Sequence, residues 1–156
     1  MSNTETFVRA NSIFANLKPE HLAMVVGQTC EVVFPAGQVI FREGEPANRL
    51  FLIEEGRVEL RASTRTVVPI IISRLGPGEA LGWSWLFPPF EWSFEAVALE
   101  ETKAVAINGA ELLVLSEKHP DFGYELMKRV SRLVIQRLQS TRKQLVEIQI
   151  DSAMEG

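Results

Sequence analysis

Two histidines, one cysteine and a pair of glutamates are the side chains that could support catalysis or bind a metal. His21 and His119 lie about a hundred residues apart, and neither has a neighbour at a spacing typical of metal ligands. Glu91 and Glu95 are four residues apart, which is compatible with an acid–base pair and equally with two acids facing solvent. No Gly-x-Ser-x-Gly motif presents a nucleophilic serine. These patterns favour a protein that is not an enzyme and has no metal site.

The composition favours a small intracellular globular protein. The 156 residues are 46% hydrophobic, which suits one compact domain. The net charge of −4 argues against a general binder of nucleic acid or acidic membranes. The single cysteine, Cys30, cannot form an intramolecular disulfide and is expected to be a small buried residue. No signal peptide opens the chain and no apolar run could span a bilayer, so we expect a cytoplasmic protein with no membrane anchor.

An unusual concentration of aromatic residues occupies positions 82–96, with the sequence GWSWLFPPFEWSFEA. It contains all three tryptophans and three of the nine phenylalanines. Each large aromatic side chain buries on the order of 150–250 Å². Two interpretations remain open, since these residues could form part of the core or line a binding pocket.

Hydrophobic periodicity places the aromatic stretch in a β-rich segment between helical ends. Residues 1–30 are predicted to be helical, with Pro19 in the first turn of the second helix. Residues 31–109 form short β-like runs separated by glycine-containing turns, which is typical of a small β-barrel or jelly roll. Within this segment, strands 49–53 and 57–61 are predicted to form a hairpin around Glu54-Glu55-Gly56. Residues 110–150 are predicted to be helical again, and 151–156 to form a tail.

The last predicted helix, from Phe122 to about Ile150, carries a narrow apolar stripe. The stripe could pack on the chain's own barrel, but a helix of this length extends past a small barrel, so we favour a homodimer interface along its distal half. Its basic residues are expected to form a solvated face. The predicted interface consists of Val134, Leu138, Thr141, Leu145 and Ile148, and the basic set of Lys128, Arg129, Arg132, Arg137, Arg142 and Lys143.

Three segments carry a resemblance to a known family. Residues 34–45 (FPAGQVIFREGE), 50–60 (LFLIEEGRVEL) and 75–82 (LGPGEALG) resemble successive strand-and-glycine signatures of the cyclic nucleotide-binding domain superfamily, and in particular the sensor domain of the catabolite activator protein type. The resemblance implies an α+β fold, mainly β, with a β-roll (a double-stranded jelly roll), N-terminal helices and a long C-terminal helix that often dimerises. It also implies a short helix after Gly82 within a phosphate-binding cassette, placed here at residues 78–96.

The cassette departs from the family pattern at its two charged positions. The family has a glutamate after the glycine for the ribose and an arginine nine residues later for the cyclic phosphate, and here those positions are Trp83 and Trp92. The stretch resembles a stand-alone bacterial variant with a Gly-Trp-Ser-Trp-Leu-Phe-Pro-Pro cassette. A charge-assisted hydrogen bond contributes about 1.5–3 kcal/mol, so the loss of two predicts weak binding or none for cyclic AMP and cyclic GMP. The resemblance places the ligand-binding residues at Gly82, Trp83, Ser84, Trp85, Trp92 and Ser93, and the first candidates for compensating cations are Arg49, Arg61, Arg65 and Arg74.

Two functions follow from this resemblance and remain open. The first is a regulatory sensor that needs no cofactor, binds a cyclic nucleotide weakly or a different small ligand, and signals through its last helix to a separate output protein. The alternative is an interaction module whose pocket is filled by its own side chains and whose helix dimerises. Direct DNA binding is not expected, because only six residues follow Ile150 and they leave no room for a helix-turn-helix.

Overall fold

The computed structural model describes residues 3–62, 68 and 70–155. Within these residues, two helices come first, eight strands that form two four-stranded sheets follow, and two further helices come last. Pro19 occupies the first turn of the second helix, as predicted. The helices are α1 (Asn3–Ala10), α2 (Pro19–Val26), α3 (Gly109–Lys118) and α4 (Pro120–Glu155), and the strands are β1 (Thr29–Phe34), β2 (Val39–Phe41), β3 (Arg49–Glu55), β4 (Val58–Ala62), β5 (Ile70–Leu75), β6 (Ala80–Leu81), β7 (Glu95–Ala98) and β8 (Thr102–Asn108).

The strands form two antiparallel sheets that enclose a common core. The first sheet has the order β1-β8-β3-β6 and the second the order β2-β7-β4-β5. Phe51 and Ile53 of the first sheet share one buried cluster with Val58 and Leu60 of the second. This arrangement is the β-roll with flanking helices and a long C-terminal helix that the sequence predicts.

Strand β3 of the first sheet is buried on both faces. Along β3, Leu50 and Leu52 contact the helices, whereas Phe51 and Ile53 face the other sheet. Successive side chains of a strand point to opposite faces, so a run that is hydrophobic at every position suits a strand covered on both sides. The helical core and the roll interior are therefore separate clusters joined through this sheet.

The predicted hairpin around Gly56 is wrong, although the turn itself is present. Gly56 has a φ of +103°, and a Cβ atom there would lie 2.5 Å from the Thr102 hydroxyl oxygen. However, β3 pairs with β6 and β8, while β4 pairs with β5 and β7. The turn carries the chain from one sheet to the other, because both strands find better partners far away in the sequence than next to it.

Helix α4 is long, and only its first third is buried. Its 36 residues continue through Glu155, so the predicted tail at 151–156 is helical as far as that residue, and residues 151–155 contain no proline or glycine that would interrupt the helix. Phe122, Leu126 and Val130 are its buried residues. The prediction that Arg129 belongs to a solvated face is wrong, because its Nη1 donates to the backbone carbonyls of Ile13 (3.0 Å) and Ala15 (2.7 Å).

The side chains that could support catalysis lie apart from one another. His21 is buried, and its Nε2 lies 3.0 Å from an Asp121 carboxylate oxygen at the start of α4. Glu91 and His119 are exposed. Cys30 is exposed rather than buried, because it lies on β1 at the edge of its sheet. Within residues 3–62, 68 and 70–155, no group of three potential metal ligands comes together, and none of the helices there combines the length and apolar character needed to cross a bilayer.

One buried carboxylate on the second sheet is held by two arginines. Glu59 is 5% exposed, its Oε1 accepts from Arg61 Nε at 2.7 Å, and its Oε2 accepts from Arg74 Nε at 3.1 Å. The hydrogen bond from Arg61 lowers the pKa of Glu59, with a further contribution from Arg74, although burial opposes the shift. The ionised form is therefore the one that the folded chain stabilises.

We expect the substitution Glu59→Gln to destabilise the protein in a pH-dependent way. A carboxyl whose pKa is lowered by folding contributes stability above its unfolded-state pKa, which is about 4.3 for glutamate, and loses it as the pH falls through the folded-state pKa. The difference in unfolding free energy between wild type and variant should thus be largest near pH 7 and shrink below about pH 4. Urea unfolding across this range measures it, with the exposed Glu100→Gln as the control. A difference that stays constant down to low pH would contradict the assignment.

Candidate functional site: a pocket between the second sheet and the last helix

Residues 82–96 leave the first sheet, form one short helical turn and return as β7. Gly82 follows β6 with a φ of +95°, and residues Ser84–Leu86 form a single 3-10 turn. The indole nitrogen of Trp85 donates to the Gly82 carbonyl at 2.9 Å and closes this turn. The stretch thus has the short helix expected after the glycine, but its three tryptophans point to different environments.

Trp85 belongs to the helical core rather than to a ligand pocket. Its side chain is 1% exposed and packs with the buried residues of the helices. A Cβ atom on Gly109, at the start of α3, would lie only 2.5 Å from the Trp85 ring. Trp85 therefore fixes the cassette to α3, which is a structural role.

Trp92 fills the roll interior directly beside Gly82. It is 5% exposed and stacks on Phe41 with a centroid separation of 3.7 Å and an interplanar angle of 7°. A Cβ atom built on Gly82 would lie 2.7 Å from the Trp92 ring. The space beside Gly82, which has no side chain, is therefore occupied by the indole ring of Trp92.

Trp83 lines a pocket that separates the second sheet from α4. The pocket has a volume of about 270 Å³, and its aromatic wall consists of Trp83 and Phe94, whose ring centroids lie 6.3 Å apart at 71°. The remaining lining residues in the described part of the chain are apolar or carry single hydroxyl groups, apart from one arginine. They are Leu60, Ile72 and Ser73 from the sheet and Val134, Arg137, Leu138, Ser140 and Thr141 from α4. We call this space the roll pocket.

Arg137 is the cation of the roll pocket, and the prediction that it faces solvent is wrong. Its Nη2 donates to the Ala80 carbonyl at 2.5 Å, and its guanidinium lies 5.9 Å from the Trp83 ring centroid. Its Nη1 is buried without a hydrogen-bond partner in the part of the chain that the structure describes. Burial lowers the pKa of Arg137 and the Glu79 carboxylate opposes this, but an arginine remains charged at neutral pH.

A signal for Arg137 was present in the sequence. It follows Val134 by three residues and precedes Thr141 by four, so it lies on the same helix face as those two members of the predicted stripe. The arginines considered as substitutes are placed elsewhere. Arg61 and Arg74 are engaged with Glu59, Arg49 lines a separate cavity beside Cys30, and Arg65 lies outside the described residues.

The structure brings together only part of the predicted site. Trp83 meets Val134, Leu138 and Thr141 in the roll pocket, so the proximal half of the predicted interface also lines this space. Ser93 is exposed and Ser84 is half-buried, and neither lines the pocket. Phe94 and Arg137 are lining residues that sequence reasoning did not select. Leu145 and Ile148 lie further along α4 and are 55% and 64% exposed.

Comparison with known proteins identifies the same family over the roll. Residues 31–119 match the model of the cyclic nucleotide-binding domain. A solved Geobacter metallireducens GS-15 protein named for cyclic nucleotide binding is 35% identical, with a TM-score of 0.78, and the match covers 88% of this chain and 99% of that one. The Thermus thermophilus catabolite activator protein is 27% identical, with a TM-score of 0.69, and the match covers 88% of this chain and 62% of that one.

A curated relative with a regulatory name is longer than the matched region. The CRP-like cAMP-activated global transcriptional regulator of Mycobacterium tuberculosis is 27% identical over 144 residues, which cover 92% of this chain and 62% of the relative. This chain therefore spans less than two thirds of the length of that regulator.

Proposed function

This chain belongs to the cyclic nucleotide-binding domain family, and we propose that it is a non-catalytic regulatory module that senses a small ligand without a cyclic phosphate. The observation that carries the proposal is the position of Trp92 against Gly82. In the family pattern, the corresponding arginine pairs with the phosphate. An uncharged indole that is stacked on Phe41 offers an anion neither charge nor space.

The roll pocket favours a flat ligand with one or two polar groups. Trp83 and Phe94 provide faces and edges for aromatic contact, while Ser73 and Thr141 provide hydroxyl groups. Arg137 adds one cation at the wall. At about 270 Å³ the pocket lies just below the usual range for small-molecule sites, about 300–1,000 Å³, so it suits a nucleoside or an aromatic metabolite better than a larger cofactor.

Ligand occupancy would act on α4 directly, because α4 supplies half of the lining residues. Arg137 links the helix to the Ala80 carbonyl and to the Trp83 ring, so a ligand that moves Trp83 changes contacts of the helix. We expect the distal half of α4 to present this change to a second copy of the chain or to an output protein.

A homodimer through α4 is part of the proposal. Leu138, Leu145 and Ile148 are all more than half exposed, and they continue the spacing of four and three along one face. A row of large apolar side chains that faces solvent is typical of a helix that forms a protein–protein interface.

The alternative function is an interaction module with an inactive pocket. The stacking of Trp92 favours it as well, since a self-filled roll could serve only to hold α4 in place. The two functions differ in one respect, which is whether any small molecule binds beside Trp83.

We expect cyclic AMP and cyclic GMP to bind weakly or not at all. Losing two charge-assisted contacts from a micromolar sensor gives a dissociation constant of about 100 μM or weaker. Adenosine and guanosine, which lack the phosphate, should bind at least as tightly as the cyclic nucleotides. Calorimetry and tryptophan fluorescence measure both, and a dissociation constant of about 1 μM or tighter for cyclic AMP would refute the prediction.

A pair of phenylalanine variants locates any binding that is found. Phe94→Ala removes one aromatic wall of the roll pocket and should weaken a nucleoside about tenfold. Phe87→Ala makes the same change at an exposed position outside the pocket and should leave the affinity unchanged. If no member of a nucleoside and aromatic metabolite panel binds to the wild type, the interaction module becomes the better description.

A further inference from the structure

A second and larger cavity lies on the other side of Arg137. Its volume is about 420 Å³, and it is bounded by the turn at Ser12 and Ile13, by the end of β5 with the following turn, and by α4. It shares Ser73, Arg137 and Ser140 with the roll pocket, but its other lining residues are different. We call it the arginine cavity.

The lining of the arginine cavity is strongly basic. Among the described residues, it contains four arginines, Arg74, Arg129, Arg132 and Arg137, and one acid, Glu79. The Glu79 carboxylate accepts a hydrogen bond of 2.7 Å from the backbone nitrogen of Gly76. The excess positive charge is notable in a chain whose net charge is −4.

Two of the four guanidinium groups, those of Arg132 and Arg137, have no carboxylate within 4 Å among the described residues. Arg129 donates to two backbone carbonyls and its Nε lies 3.6 Å from a Glu125 carboxylate oxygen, and Arg74 is paired with Glu59. Arg132 is exposed and makes neither a hydrogen bond nor an ion pair with any residue that the structure describes. Arg137 keeps an unpartnered Nη1, within the same described residues. The charges in this cavity are therefore incompletely compensated by the protein.

We propose that the arginine cavity is a second ligand site, which takes a small multivalent phosphate. Guanidinium groups bind phosphate oxygens through paired, charge-assisted hydrogen bonds, and several converging arginines suit a group that carries more than one negative charge. A walled cavity of this volume fits a small molecule. The proposal does not rest on the ligand of the roll pocket, since Arg74, Arg129 and Arg132 do not line that pocket.

Inorganic pyrophosphate is the probe. Its affinity for the full chain is measured by calorimetry at low ionic strength, with the potassium chloride concentration matched between samples. Wild type should bind it, and Arg132→Gln should weaken binding about tenfold, because one charge-assisted contact is lost. Arg132 has no structural partner among the described residues, so this variant should keep its melting temperature. Arg142→Gln removes the same charge from the same helix outside the cavity and should change the affinity less than twofold.

Three results would overturn the assignment. They are no pyrophosphate binding by wild type at millimolar concentration, an equal loss in the Arg132 and Arg142 variants, and binding of citrate at least as tight as that of pyrophosphate. The last would show that the cavity prefers carboxylates. Phe94 lines the roll pocket and does not line the arginine cavity, so Phe94→Ala should leave pyrophosphate binding intact. Failure of this proposal and failure of the nucleoside proposal are therefore recorded by separate measurements.

Discussion

The substitution Trp92→Arg should lower the melting temperature by roughly 10 °C and at the same time make the protein responsive to cyclic AMP. Loss of a buried aromatic side chain costs about 3–5 kcal/mol, and for a chain of this length each kcal/mol shifts the melting temperature by about 2–4 °C. The new guanidinium would lie in the roll interior beside Gly82, where Trp92 is 5% exposed, without a carboxylate partner. A ligand phosphate would supply that partner, so cyclic AMP should raise the melting temperature of the variant.

The matched control for this experiment is Trp92→Met. Methionine leaves a comparable loss of packing but adds no charge, so cyclic AMP should not affect its melting temperature. The double variant Trp83→Glu with Trp92→Arg should respond more strongly, because it also restores the family's ribose contact. Equal stabilisation of the arginine and methionine variants would show that space, and not charge, limits cyclic nucleotide binding. A double variant that folds and still ignores cyclic AMP would favour the interaction module.

Converting Leu138 and Leu145 to glutamate should change a dimer into monomers. Both side chains are more than half exposed on α4, and burial of a leucine contributes about 1.5–3 kcal/mol, so two leucines on each of two helices account for much of the stability of a dimer. The added glutamates would also repel one another across a twofold axis. Sedimentation velocity at tens of micromolar measures the change.

Gln136→Glu with Gln139→Glu is the control for the dimer. Both residues are exposed on α4, and neither is three or four residues from a member of the predicted interface, so they gain the same charge on a different face of the helix. The control should remain dimeric. A wild-type chain that sediments as a monomer at tens of micromolar would refute the homodimer, and dissociation of the control would show that added charge alone is responsible.

The fold could be predicted largely from the sequence, because its main signals are local. Changes of period from helix to strand and back mark the boundaries within a few residues, and glycines such as Gly56 and Gly82 have the positive φ that their turns require. Strand partners are different, since β3 pairs with β8 about fifty residues later. No local pattern near Gly56 specifies that pairing, and for this reason the predicted hairpin failed.

The site was less predictable, because residue type does not reveal which cluster a side chain joins. Trp83, Trp85 and Trp92 lie within ten residues of one another, yet they occupy the pocket wall, the helical core and the roll interior respectively. The direction of each side chain depends on the local course of the backbone, which the residue type does not reveal. Arg137 was missed for a related reason, since a basic residue on a helix is usually solvated, and only the proximity of Ala80 and Trp83 gives it a different role.

Helix α4 is packed against the rest of the chain only along its first part, so a small tilt there would move its far end by a larger distance. Its buried residues end at Val130 and Arg129 fastens it to the N-terminal turn, whereas the residues beyond Arg137 are almost all exposed. The free arm of eighteen residues from Leu138 to Glu155 would be about 27 Å long at 1.5 Å per residue. A tilt of α4 by about 5° around a pivot near Arg137 would therefore displace the helix end at Glu155 by about 2 Å, which is as large as the helix shifts that switch subunit interfaces. Amplification of this kind requires only a small movement in the pocket.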